Sequence, residues 1–372
     1  MINFITSFLI FIYIFFISKA YYLKCNKDQK IVLFLLFLVH FTAAGIAYSD
    51  NIIDANFFYE TAKTANSWFS AFGLGSQFMA FLIYPLVKIG ISKFILYFLF
   101  SAISFQAFLW YFDEMSKHYI MGLTIYGISF TQLFFLLPSL HYWSGFVGKD
   151  VLVFFFLTYL FFENKMKFRF SLLHGIVLIL LLLLRPHIFV VTFGAFFIYY
   201  MTQHDVSKKI KAKLLLLTLI VLGFSMPILM QFINLDGFTF KVISRKWNEI
   251  NAYALGGGSG VDLMASNYLE RIWLLLFRPL YYDASTFYQY VISVENSLVL
   301  LLFLWGIIYL IKRKVVVSGE IKLAFLIGGS IFLMIAFYIY NLGLASRMRL
   351  MFLPLFLYAL HQLIHFREKE KI

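Results

Sequence analysis

Apolar stretches of about 17 to 25 residues recur along the whole chain, each long enough to cross a hydrocarbon core roughly 30 Å thick. They are separated by short clusters of lysine, asparagine, aspartate and glycine. Backbone at membrane depth has no water to bond, so these stretches must be helices. A membrane β-barrel would alternate apolar and polar residues over strands of about ten residues. This chain instead has unbroken runs such as Gly175 to Leu184. The pattern predicts an all-α, polytopic integral membrane protein with about eleven crossings, within a range of roughly 10 to 12. The helices are expected near residues 2–18, 31–48, 94–112, 119–137, 147–162, 170–184, 188–203, 214–233, 297–311, 323–340 and 350–366.

Charge orients them. Five connections and the tail are short and mostly lysine-rich: Lys19 to Lys30, Asp113 to Lys117, Glu163 to Arg169, His204 to Lys213, Lys312 to Lys322, and Arg367 to Ile372. Together they hold 19 of the 31 Lys and Arg but only 8 of the 18 Asp and Glu. Basic loops stay on the cytoplasmic side, which sets the N-terminus out and the C-terminus in. The first segment, Ile2 to Ile17, lacks the positive n-region of a signal peptide and is expected to be a retained helix. Topology thus accounts for most of the net charge of +13, and no nucleic-acid partner is implied. The single cysteine, Cys25, rules out an internal disulfide and a thiolate metal cluster.

One stretch, Gln77 to Ile89, is apolar enough to enter the bilayer, but a crossing there would put Glu163 to Arg169 outside. It is expected to be re-entrant or interfacial, since it follows a glycine-containing run and contains Pro85. The chain reads as one transmembrane domain over residues 1–372, with an ordered extracytoplasmic loop at 234–296. Within that loop the periodic stretch Tyr268 to Leu280 predicts an amphipathic helix lying on the membrane.

The unusual residues gather on the outward segments. Asp50 and Asp54 stand four apart, on one face of a helix, where carboxylates can bind a cation or take a proton from a hydroxyl. In Pro138 to Asp150, His141 precedes Lys149 and Asp150, charges at the lip of an apolar helix that need water, each other or a ligand. The string Gly145 to Asp150 lacks P-loop spacing, so an ATPase is rejected. Arg185-Pro186-His187 interrupts two apolar runs; the arginine suits a carboxylate or phosphate, and His187 is a candidate base. Arg278, Arg347 and Arg349 break the outer charge bias, and with Arg185 are expected to form a cationic basin for a pyrophosphate.

These residues resemble bacterial polysaccharide polymerases of the Wzy and EpsG type: Asp50, Asp54 and Tyr59 after the second helix, Lys149 opening a mid-chain helix, Arg185 with His187, and Arg347 with Arg349. Lys149 stands where such proteins commonly carry arginine. The resemblance implies a glycosyltransferase that joins oligosaccharide repeat units carried on undecaprenyl pyrophosphate, at the outer face of the bacterial inner membrane. It implies no nucleotide sugar, cofactor or metal. Arg185, Arg347 and Arg349 would bind the leaving pyrophosphate, and His187 or an acid such as Asp50 would deprotonate the acceptor. Membrane lipids, a flippase and a chain-length regulator are the implied partners.

Two other readings compete: a GT-C-type glycosyltransferase using a polyprenyl-phosphate sugar, with Asp50 or Asp54 as base, and a lipid-linked glycan transporter or flippase. A transporter of repeats would show matching interrupted helices in two halves, which the sequence lacks. The first two differ in a transfer assay: Asp50→Asn or Asp54→Asn abolishes GT-C transfer, whereas Arg185 or Arg347 substitutions abolish polymerisation.

Overall fold

The computed structural model describes residues 1–117, 124–125, 128–164, 171–204, 206–237, 239–255, 260–262, 265–312 and 317–365. The chain folds as two compact units, residues 1–185 with 357–372, and residues 186–356.

The first unit contains α1 (Ile2–Tyr22), α2 (Lys27–Ser49), α3 (Ile53–Thr64), α4 (Ser76–Lys88), α5 (Lys93–Lys117), the paired dipeptides β1 (Thr124–Ile125) and β2 (Ile128–Ser129), α6 (Phe130–Leu133), α7 (Pro138–Ser144), α8 (Lys149–Asn164) and α9 (Leu172–Leu184). The second contains α10 (Pro186–Thr202), α11 (Lys208–Ile233), α12 (Phe240–Leu255), α13 (Tyr268–Phe277), α14 (Phe287–Lys312), α15 (Gly319–Tyr338) and α16 (Leu342–Met348). The last helix, α17 (Leu353–His365), begins in the second unit and belongs to the first from Leu357.

Among the described residues, six helices, α1, α2, α5, α11, α14 and α15, are long and apolar enough to cross a membrane. The count reaches eight if two bent pairs are each one span, α7 with α8 at 108° and residues 342–351 with 353–364 at 53°. The described residues thus hold a multi-pass set of six to eight candidate spans plus shorter apolar pieces, beside the eleven crossings expected. Helix α9, with 13 residues, extends only about 20 Å.

The helix expected over 119–137 does not form where the chain is described; residues 118–123 and 126–127 lie outside the described residues. Thr124 pairs with Ser129 and Ile125 with Ile128, then α6 and a 3-10 turn, Phe134–Leu136, lead to Pro138. β-branched Thr124, Ile125 and Ile128 and the glycines at 122 and 127 weaken a helix here. Proline at 138 disfavours helical backbone at Leu137. The chain still travels the length of the unit. Gln132 Nε2 donates to Ser116 Oγ (3.1 Å) near the end of α5, and Tyr142 Oη donates to Asp50 Oδ2 (2.8 Å) at the end of α2.

Residues 77–89 form most of α4, a 13-residue helix packed along α3 and too short to span the hydrocarbon, at about 20 Å. It buries Phe78, Met79, Ala80, Ile83 and Val87. Gly75 starts it with φ of 63°, a conformation glycine adopts freely, and its N–H reaches Leu183 O at the end of α9 (2.8 Å).

In the second unit the expected amphipathic helix is α13, with an asparagine N-cap and a capping box to Glu270. It packs on α14, α15 and α16 and buries Leu274 to Phe277, so its apolar stripe faces protein. Helix α12, whose apolar residues Phe240, Ile243 and Tyr253 are exposed, is not foreshadowed by the hydrophobic pattern.

Close approach of backbones fixes α7. A Cβ on Gly145 would lie 2.7 Å from Ala44 Cα and 3.0 Å from His141 O. Gly145→Ala is expected to destabilise the protein by about 1–3 kcal/mol through overpacking. Gly223→Ala, which meets nothing within 4 Å in α11, should be neutral or stabilising by up to ~1 kcal/mol. Thermal unfolding in detergent compares the two.

Candidate functional site

Five of the sequence-predicted residues share one end of the first unit. Asp50 caps α2 and accepts from Tyr142; the left-handed Asn51 (φ 53°) then turns the chain into α3. Asp54 lies in the first turn of α3, where a carboxylate favours the positive helix end. Lys93, at the start of α5, donates to Asn51 Oδ1 and Asn56 Oδ1, each at 2.7 Å, and holds this turn.

Lys149 and Asp150 open α8. Lys149 Nζ donates to Ser76 Oγ at 3.0 Å and stands 5.9 Å over the Phe58 ring, one helical turn from Asp54. Asp150 is fully buried and paired with the buried Arg185, which ends α9. Two charges in an apolar bundle persist only as a hydrogen-bonded pair; removing one partner leaves a bare buried charge. The pairing leaves Arg185 Nε buried with no hydrogen-bond acceptor among the described residues. A stranded donor of this kind costs about 1–3 kcal/mol and calls for an acceptor.

His141 was expected to touch substrate. It is instead wholly buried, one step deeper than Tyr142. Its Nε2 meets Phe135 O at 2.8 Å, and its Nδ1 meets His40 Nδ1 at 3.0 Å. His40 Nε2 in turn lies 2.9 Å from Ser101 O and 3.3 Å from Ser104 Oγ. Carbonyls accept only, so a neutral pair that donates both Nε2–H groups leaves two bare Nδ1 atoms facing each other; one proton between them requires either a net charge on the pair or a bare His40 Nε2. Sequence reasoning missed His40, because a lone histidine in an apolar helix shows no partner until the fold supplies one.

The second unit holds His187, Arg278, Arg347 and Arg349. His187 lies in the first turn of α10, its ring 5.4 Å from that of Phe232 and 5.9 Å from that of Tyr338. Arg347 is half-buried in the last turn of α16. Arg349 is buried and spends all three nitrogens on protein: Nε on Leu275 O at 2.7 Å, and the two others on Asn296 Oδ1 and Arg278 O. It thereby caps the carbonyl end of α13, where a cation is favoured. Arg278 forks onto Asp283, with Nε to Oδ2 at 3.0 Å. That hydrogen bond, against the opposing effect of burial, raises the guanidinium pKa above its ordinary value. Burial pushes the Asp283 carboxyl up, but the Arg278 fork and the Leu280 N–H outweigh it and hold it below the usual range.

Arg185, Arg278 and Arg349 each meet acceptors within their own unit. Among the described residues of the first unit, the lip of α8 combines cations with carboxylates and a donor lacking an acceptor. Comparison with family models, curated proteins and solved structures finds no match to this chain.

The Asp150–Arg185 pair has a distinctive energetic signature. Arg185→Met alone is expected to cost about 3–5 kcal/mol, while Arg185→Met with Asp150→Leu recovers most of that loss. A double-mutant cycle from unfolding in detergent measures the coupling.

Proposed function

We propose that this multi-pass membrane protein transfers or polymerises oligosaccharide repeat units carried on undecaprenyl pyrophosphate, at the extracytoplasmic face of the bacterial inner membrane, during surface-polysaccharide synthesis. The observation that supports this best is Arg185, a buried guanidinium paired with Asp150 at the start of α8, with one donor left over among the described residues. Phosphate oxygens are strong acceptors for such a donor, and a charge-assisted bond there is worth more than a neutral one.

The orientation follows from charge. In the first unit the lysines of 19–30 and Lys117 lie at the end opposite Asp50, Lys149 and Arg185. In the second, the basic starts of α11 and α15 lie opposite the His187 end, where Phe232 and Tyr338 finish those helices. Keeping lysines in the cytoplasm turns the Asp50, Lys149 and Arg185 end of the first unit outward, with the N-terminus out.

On this reading, Lys149 and Arg185 stabilise charge developing on the departing pyrophosphate, a contribution that needs fixed cations at the leaving oxygen. Asp50, oriented by Tyr142, or Asp54 takes the proton of the acceptor hydroxyl. A flippase would supply the lipid-linked substrate and a chain-length regulator would govern the product.

A second reading, a GT-C-type transferase using a polyprenyl-phosphate sugar, gains from the commitment of the Arg278 and Arg349 forks to protein acceptors, which leaves the two aspartates and Lys149 as the dominant charges. Reconstituted vesicles with labelled lipid-linked oligosaccharide separate the two. A ladder of longer chains is expected of the polymerase and a single addition of the second reading. Relocation of unaltered substrate would overturn both. Lys149→Met is expected to reduce transfer by ~10²–10³-fold, the scale of losing one charge-stabilising donor.

A further inference from the structure

The second unit contains a cleft with polar and apolar walls that no step above uses. Its volume is about 430 Å³, within the range of small-molecule sites. Ser266, Asn267, Glu270, Trp273, Arg278 and Tyr282 supply its chemistry. It lies at the far end of α15 from the lysine-bearing start. Tyr268 Oη donates to Leu333 O (2.7 Å), Arg271 Nη1 to Phe337 O (2.8 Å), and the Val261 N–H to Tyr340 O (2.7 Å).

The charged groups around it balance. Glu270 and Asp283 are negative and Arg271 and Arg278 positive, and the Arg349 guanidinium behind Arg278 is offset by Glu295. A pyrophosphate would thus meet no excess of cation, and its nearest guanidinium, Arg278, already holds a carboxylate. What remains is a set of fixed donors and acceptors between two exposed aromatic side chains. Trp273 is 41% exposed and Tyr282 71%. Trp273 packs 4.9 Å from Phe277, and the Arg278 guanidinium lies 5.4 Å from the Tyr282 ring centre, so both rings have neighbours that orient them.

The polar walls are equally constrained. Glu270 accepts from the Asn267 N–H (2.9 Å), and Asn267 Oδ1 accepts from the Glu270 N–H (2.9 Å). Arg271 Nε donates to Ser266 Oγ at 3.1 Å, and Nη2 to Ser266 O at 2.9 Å, which secures the turn before α13. Groups held this way lose little freedom when a ligand binds. A neutral ligand with alternating hydroxyl donors and acceptors and a flat C–H face matches both halves of the lining.

We infer that the Glu270–Trp273–Arg278–Tyr282 cleft binds the neutral sugar rings of a glycan and holds the oligosaccharide apart from its lipid anchor. This rests on the reading of the protein as a glycan transferase, and a binding measurement separates the two. The probe is the oligosaccharide released by mild acid from the surface polysaccharide of the producing cell, added to the full-length protein in detergent and followed by saturation-transfer NMR.

Sugar-ring signals are expected to saturate with the wild type, to weaken at least about tenfold in affinity in Trp273→Ala, and to persist in Trp273→Phe. The conservative variant guards against a folding defect. Inorganic pyrophosphate is expected not to displace the sugar. Absence of binding to the wild type, equal binding by Trp273→Ala and Glu270→Gln, or displacement by pyrophosphate would each overturn the cleft. Binding at the cleft in a protein that transfers no glycan would instead overturn the transferase reading and leave the cleft standing.

Discussion

Backbone carbonyls that leave a helix inside a membrane protein have no water to turn to, and the way this chain meets that constraint shapes the rest of it. Where its helices break, a side chain from another element takes the exposed carbonyl. His141 covers Phe135 O, Ser104 covers Ser144 O, Ser101 covers Gly145 O, and Arg349 covers Leu275 O and Arg278 O. Gln29 and His361 do the same for Ser116 O and Met115 O near the end of α5. Six of the buried polar residues thus cap interrupted helices, and the polar residues left over become informative about function. Arg185 is one: it pairs with a carboxylate and still has a donor to give.

That distinction was only half legible in the sequence. The long helices were readable because an apolar run of sufficient length has one solution in hydrocarbon, and α1, α2, α5, α11, α14 and α15 appear where the runs lie. Residues 119–137 misled because composition alone does not separate a continuous helix from short pieces joined by a turn. Their β-branched and glycine positions carried the warning. Helix α12 was hidden for the opposite reason: it has too few apolar residues to mark a span and too little burial to mark a core.

The candidate site was legible in its residue types and not in its pairings. Asp50, Lys149, Asp150 and Arg185 stand out because charge is scarce in this chain, and the fold brings them to one end of the first unit. Arg349 stood out equally and is a cap, because its acceptors are carbonyls, which have no signature in a sequence. Arg278 stood out, and its partner Asp283 was visible five residues on, but the ion pair could not be told from a solvated loop. His40 was invisible, being one polar residue in an apolar helix whose partner lies 101 positions away.

The two imidazoles bear on how such a protein can change over generations. Each ring presents one nitrogen to a fixed carbonyl and the other to its counterpart, so neither position has a meaning of its own. Replacing either alone strands a nitrogen in the interior, whereas replacing both by apolar groups of matching shape removes the facing nitrogens together. Positions 40 and 141 therefore act as one unit, and a change at one is expected to be tolerated only in company with the other.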